Sequence, residues 1–191
     1  MDTITPLSWK GLNDPAFEHC LVSRMPGAIV VQSKIEGTVN NEQTIVEYRL
    51  ELDTAWSLQS VQLSMTQPAV RSIRLTHNKF GEWVDDQLKT WPQLDGCMEV
   101  DISLTPFTNT LPVKRLCFKP GESREIKVVY FDLPSFEISM KPQRYTYLGD
   151  NVFRFESLDA DYVNEITFNA AGFVQHYPDL FELQETTPVS L

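Results

Sequence analysis

The sequence predicts a mostly-β domain. Three observations carry this: hydrophobic residues alternate with period two, turn signals cut the alternation into short runs, and no helical-period window reaches three turns. In Ile45 to Leu52, Val46, Tyr48, Leu50 and Leu52 share one face, while Glu47, Arg49 and Glu51 share the other. Val61, Leu63 and Met65 form the next stripe, and Ile73 and Leu75 continue it. Phe136, Ile138 and Met140 alternate with Glu137 and Ser139. Phe153 and Phe155 flank Arg154, and Ile166 and Phe168 flank Thr167. The run from Ile126 to Phe131 is apolar on both faces near its end. One buried face does not require that, so a second covering is expected there: an apolar cavity or a dimer interface.

Asn78-Lys79-Phe80-Gly81, Gly149-Asp150-Asn151 and Ala170-Ala171-Gly172 read as hairpin tips. Asp85 to Thr90 reads as one short helical turn. About a dozen strands in meander order follow, arranged as a sandwich, a closed barrel or one sheet rolled on itself. A rolled sheet has an interior, the natural place for a ligand.

A length of 191 residues fits one domain, here 1–191, with a sizeable core. The formal net charge of −10 argues against nucleic acid, whose phosphates are met by Lys and Arg. The first residues, Met-Asp-Thr-Ile-Thr-Pro, lack a positive segment followed by an apolar run, and no stretch has the length of a membrane span. Cys20, Cys97 and Cys117 are widely spread and odd in number. They read as reduced thiols, and a cytoplasmic location is expected.

The unusual segment runs from Trp91 to Leu116. After the Asp95-Gly96 turn, Cys97 to Leu104 reads as a strand with Met98, Val100, Ile102 and Leu104 on one face. Cys97, Glu99, Asp101 and Ser103 occupy the other. Thr105 to Pro112 then reads as a loop stiffened by its prolines, presenting hydroxyl and amide groups around Phe107. A further strand is expected after it, with Val113, Arg115 and Cys117 on one face.

The run Leu94-Asp95-Gly96-Cys97, Val100-Asp101, Thr105 to Pro112 and Arg115-Leu116 resembles the central motif of the bacterial putative glycolipid-binding family. Flanking pieces match in order: Trp56, Gly81-Glu82-Trp83, Tyr145 and Tyr147, then Gly172-Phe173-Val174 and Tyr177-Pro178. The resemblance spans nearly the whole chain. It implies a spiral β-roll, a single many-stranded, strongly curved antiparallel sheet or open half-barrel with at most short helices. That fold is similar to bacterial lipoprotein carriers and to a mycobacterial lipid-binding lipoprotein. The implied ligand is a glycolipid or related amphipathic molecule. The carriers work outside the cytoplasm, whereas no export signal is read here.

Candidate ligand-binding residues are Asp95, Asp101, Thr105, Thr108, Asn109, Arg115, Trp56, Trp83, Tyr145 and Tyr147. Asp101 and Arg115 are expected to touch or share a partner, as a clamp on a ligand head or as a structural ion pair. Thr105, Thr108 and Asn109 bind sugar hydroxyls or cap their own loop. The tryptophans (Trp91 among them) stack on a sugar, line an acyl channel or fill the core. The alternative function is an enzyme on a small glycoside or acyl compound, with Asp95 or Asp101 as acid or base. No G-x-S-x-G or C-x-x-C occurs, and His19, His77 and His176 lack ligand spacing, so no catalytic residue, metal or cofactor is assigned. The expected assembly is a monomer or a homodimer.

Overall fold

A computed structural model describes residues 2–78 and 80–184. Met1, Lys79 of the expected Asn78–Gly81 tip and residues 185–191 lie outside the described residues. The first half is a meander: β1 (Thr3–Gly11), β2 (Ala16–Met25), β3 (Ala28–Val39), β4 (Glu42–Leu52), β5 (Leu58–Gln67), β6 (Arg71–His77) and β7 (Trp83–Asp85). Then come β8 (Glu99–Ile102), a 3-10 turn (Phe107–Asn109), α1 (Thr110–Leu116) and β9 (Ser123–Asp132). The chain closes with β10 (Glu137–Gly149), β11 (Val152–Ser157), β12 (Tyr162–Phe168), β13 (Val174–Tyr177) and β14 (Phe181–Leu183).

Among the described residues, fourteen strands form one sheet in the order β7 to β1, then β14 down to β8. The sheet is an open, mostly antiparallel roll, as expected. Two pairings depart from a meander: β1 joins β14, and β8 runs parallel to β9. Period-two patterning is met directly in β4, where Val46, Tyr48, Leu50 and Leu52 are all buried.

The roll is spiral because its last strands tuck inside. Val100 and Ile102 of β8, with Val129 and Phe131 of β9, share one core with Leu63, Leu75 and Trp83 of the first half. On the opposite face, Glu99 and Val128 are also buried. This explains the two apolar faces of the β9 run: the sheet covers its own end, and this segment needs neither a hollow interior nor a partner chain. Trp9, Phe107, Phe173 and Trp56 meet as edge or stacked rings at the centre. A second cluster, Tyr145, Phe153, Phe155, Ile166 and Phe168, lines β10–β12. The middle of the roll is therefore packed.

Three local expectations are corrected. Thr105 to Pro112 is not a free loop, nor is Val113 to Phe118 a strand; the chain forms the 3-10 turn and α1. Pro112 sits in the first turn of α1, where its missing N–H has no partner to lose. Phe107 and Leu111, four apart, both face the core, a helical spacing too short to stand out in sequence. Cys117 in the left-handed region (φ 49°) ends the helix. Asp85 to Thr90 is a hairpin turn rather than helical: Asp85 Oδ1 accepts from the Gln87 and Lys89 amides, and Val84 bridges to Thr90. The β8 strand is shorter than Cys97 to Leu104. The Asp150-Asn151 tip is met, with both φ values positive (50° and 60°).

Candidate functional site

The polar segment after β8 folds over the inner face of the roll, and its side chains bind groups far away in sequence. Asp101 is half-buried. Its Oδ1 accepts from Thr108 Oγ1 at 3.1 Å and its Oδ2 from Gln143 Nε2 at 2.7 Å. Burial pushes this carboxyl above its ordinary range, and the two hydrogen bonds only partly offset it. Asn109 Nδ2 donates to the Tyr145 hydroxyl at 2.8 Å. Thr105 Oγ1 accepts from the Phe107 amide and donates to Glu18 Oε2 at 2.6 Å.

Glu18 belongs to the inward face of β2, beside Cys20 and Val22, and is only 3% exposed. Besides Thr105, Ser33 Oγ donates to it at 2.7 Å and the Tyr48 hydroxyl at 2.5 Å. Burial still prevails, raising its pKa to about 7. Sequence reading missed Glu18. The signal was there: a carboxylate on an otherwise apolar stripe of β2.

Arg115 does not meet Asp101, contrary to the expectation of a contact or common partner. The helix returns Arg115 to the start of β8, where its guanidinium binds Glu99 Oε1. A strand would have kept Arg115 alongside the loop; a helix turns it about 100° per residue, toward Glu99 instead. Among the described residues, Glu99 Oε2 is buried without a partner, and burial raises this carboxyl despite Arg115.

The remaining candidates divide. Tyr145 is buried and held by Asn109. Tyr147 stacks on Phe153 at 4.6 Å in the second cluster. Trp83 is core, donating from Nε1 to the Cys97 carbonyl at 3.0 Å and stacking on His77. Trp91 bonds Asp85. Trp56 is buried in the β4–β5 turn against Phe173. Asp95 is exposed beyond the 3-10 turn Pro92–Leu94. Replacing Tyr145 by Phe should strand the Asn109 amide and cost about 1–2 kcal/mol in urea unfolding. An unchanged midpoint would mean that water replaces the hydroxyl.

Of the sequence candidates, Asp101, Thr105 and Asn109 line one open cleft of about 330 Å³, and the other seven do not. Asp101, Thr105, Asn109 and Gln143 supply its polar side. Phe155, Tyr162, Tyr177 and Phe181 form an aromatic wall, joined by edge contacts of 6.0–6.4 Å. Lys141 and Asp159 pair at 2.6 Å beside it. A wider groove of about 620 Å³ lies along β1–β5, lined by Ser8, His19, Lys34, Glu47 and Arg49. Lys34 and Arg49 there are exposed and paired with Glu36 and Glu51, and its buried polar groups, Ser33 and Tyr48, already donate to Glu18. The smaller cleft combines buried polar groups with rings, the arrangement that orients a small ligand.

The model of the family described as "Putative glycolipid-binding" matches residues 6–183 of this chain. The crystal structure of a DUF1089 family protein from Pseudomonas aeruginosa is similar, with a TM-score of 0.75 at 27% identity. The likeness covers 86% of this chain and 91% of that one. No curated protein matches the chain.

Proposed function

Since the chain belongs to the "Putative glycolipid-binding" family, we propose that it binds a glycolipid or a related amphipathic molecule, with the hydroxylated head in the 330 Å³ cleft. The carrying observation is the convergence of Asp101, Thr105, Asn109 and Gln143 on one side of a cleft whose other side is aromatic. Asp101 is a carboxylate held by two neutral donors, with no cation bound to it among the described residues. Such a group accepts from hydroxyls and repels anions, which fits a neutral sugar. The rings offer flat faces for the apolar side of a pyranose or the first methylenes of a chain. The cleft's size suits a head, so the tail lies along the exposed rim or stays in a membrane or micelle.

Acid–base catalysis is less well supported. It needs two titratable carboxyls flanking one bond. Asp95 is exposed and does not line the cleft, and Asp159, the other carboxyl there, is tied to Lys141.

Protein purified from its own host should carry a lipid-sized adduct in native mass spectrometry. A titration with a neutral glycolipid should saturate, and Asp101→Asn should weaken it about tenfold, since one acceptor oxygen is replaced by a donor and the charge is lost. Equal affinity in Asp101→Asn, or no saturable binding, would remove the cleft as the site.

A further inference from the structure

A second group of side chains lies outside the cleft, and none of its members lines it. Lys114, in the last turn of α1, ends between two rings. Its Nζ lies 4.9 Å from the Trp56 centroid and 4.6 Å from that of Phe173, and it donates to the Ala171 carbonyl. Arg24, at the end of β2, brings its guanidinium carbon within 5.4 Å of the same indole. Two cations thus share one ring.

The chain has 26 acidic residues against 16 basic ones. Arg49, Arg115, Arg144 and Arg154 each hold a carboxylate. Lys114 and Arg24 do not: among the described residues neither has an ion-pair partner, and, unlike other unpaired cations such as Arg71, these two meet on one ring. Asp53, near in sequence to Trp56, spends its Oδ1 on the Ala55 and Ser57 amides, building the turn that holds the ring. Trp56 itself stands at φ 66°, a conformation this turn imposes. Gly172 (φ 75°) makes room, because a Cβ there would lie 3.0 Å from Lys114 Nζ.

Half-burying an ammonium and placing a guanidinium close by are both unfavourable. Burial first, then Arg24, pushes Lys114 down to about 8. The rings recover part of that cost through their quadrupoles, and Ala171 takes one of three N–H donors. What is missing is negative charge. An oxyanion would take the free donors of Lys114 and the fork of Arg24 and would remove their repulsion.

We propose that Lys114 and Arg24, seated on Trp56, form a binding site for an oxyanion, the phosphate or carboxylate of a ligand distinct from the sugar head in the cleft. The anion comes from a soluble phosphate compound or from an anionic lipid headgroup.

Inorganic phosphate titrated by calorimetry at constant ionic strength should bind saturably to the wild type. Arg24→Gln and Lys114→Met should each weaken it about tenfold. Arg24 is exposed, so its variant folds even if Lys114→Met does not. Titrations at pH 8 in two buffers of different ionisation enthalpy should show proton uptake on binding, because an anion raises the Lys114 pKa; Lys114→Met should abolish it. In parallel, cosedimentation compares vesicles of phosphatidylcholine with vesicles also containing phosphatidylglycerol. Phosphate binding without vesicle binding assigns a soluble compound. Binding only to phosphatidylglycerol vesicles, lost in both variants, assigns a headgroup. Absence of both, or variants that bind like the wild type, overturns the site and leaves Lys114 a helix-end tether to Ala171.

Discussion

Arg115→Met lowers the stability of the fold by about 3–5 kcal/mol at neutral pH, because it leaves a buried carboxylate unpaired. Glu99 is 1% exposed, Arg115 binds its Oε1, and its Oε2 is already without a partner among the described residues. Removing the guanidinium takes away the charge that offsets burial. The Glu99 carboxyl, already raised, must rise further. The penalty therefore depends on pH in a defined sense. A raised native pKa means that the folded state holds its proton more tightly than the unfolded one, so stability falls as pH increases between the two pKa values. The variant should recover toward wild type as pH falls and Glu99 protonates. Urea unfolding at several pH values measures this. A variant as stable as wild type at pH 7 would mean that water solvates Glu99 and that the pair is not buried in solution.

Glu18 sets the second large effect. Its pKa moves from the ordinary 4.5 to about 7. The folded protein thus binds this proton more tightly than the unfolded chain. Stability from this group is greatest below pH 4.5, falls as pH rises toward 7, and levels off above it. About 2.5 pKa units correspond to roughly 3 kcal/mol. Glu99 and Asp101 are raised too and slope the same way, so the wild-type curve alone does not isolate Glu18. The difference between wild type and Glu18→Gln does. Glutamine keeps one oxygen to accept from Ser33 and Tyr48, presents its amide N–H donors to the Thr105 hydroxyl, and does not titrate. Between pH 4.5 and 7 the stability of the variant should fall by roughly 3 kcal/mol less than that of the wild type. Parallel curves would show that Glu18 titrates in the native state as it does unfolded.

Thr105 links this carboxylate to the cleft, since its hydroxyl bonds Glu18 and its residue lines the cleft. Ordering of the segment from Asp101 to Asn109 is thereby coupled to the core of the first half of the roll. The coupling is carried by hydrogen bonds between groups 87 and 42 residues apart, Thr105 to Glu18 and Asp101 to Gln143. These contacts hold the polar side of the cleft in place, and under the proposed function they limit the ordering cost of binding.

Period-two alternation determined by itself that Ile45 to Leu52 is a strand and that Val46, Tyr48, Leu50 and Leu52 face inward. The central motif likewise marked Asp101, Thr105 and Asn109, which do meet at one cleft. Alternation reports that a face is covered, not what covers it. The second apolar face of β9 read as a cavity or an interface, and only the spiral of the sheet, laying Val129 and Phe131 against Leu63 and Trp83, decided between them and a third answer. Local pattern was equally silent on Phe107 to Leu116. Seven helical residues have too little intrinsic stability to announce themselves, and α1 exists because Phe107 and Leu111 are buried by distant strands. Partner choice failed for the same reason. A carboxylate's sequence position does not say which cation reaches it: Asp101 is nearest to Arg115 across the expected loop, but the helix turns Arg115 to Glu99. The aromatic wall of Phe155, Tyr162, Tyr177 and Phe181 comes from four strands, β11, β12, β13 and β14, which only the pairing of the sheet brings near the motif. Side-chain chemistry and strand periodicity are local and were legible; long-range pairing, which fixes what each face meets, belongs to the tertiary structure alone.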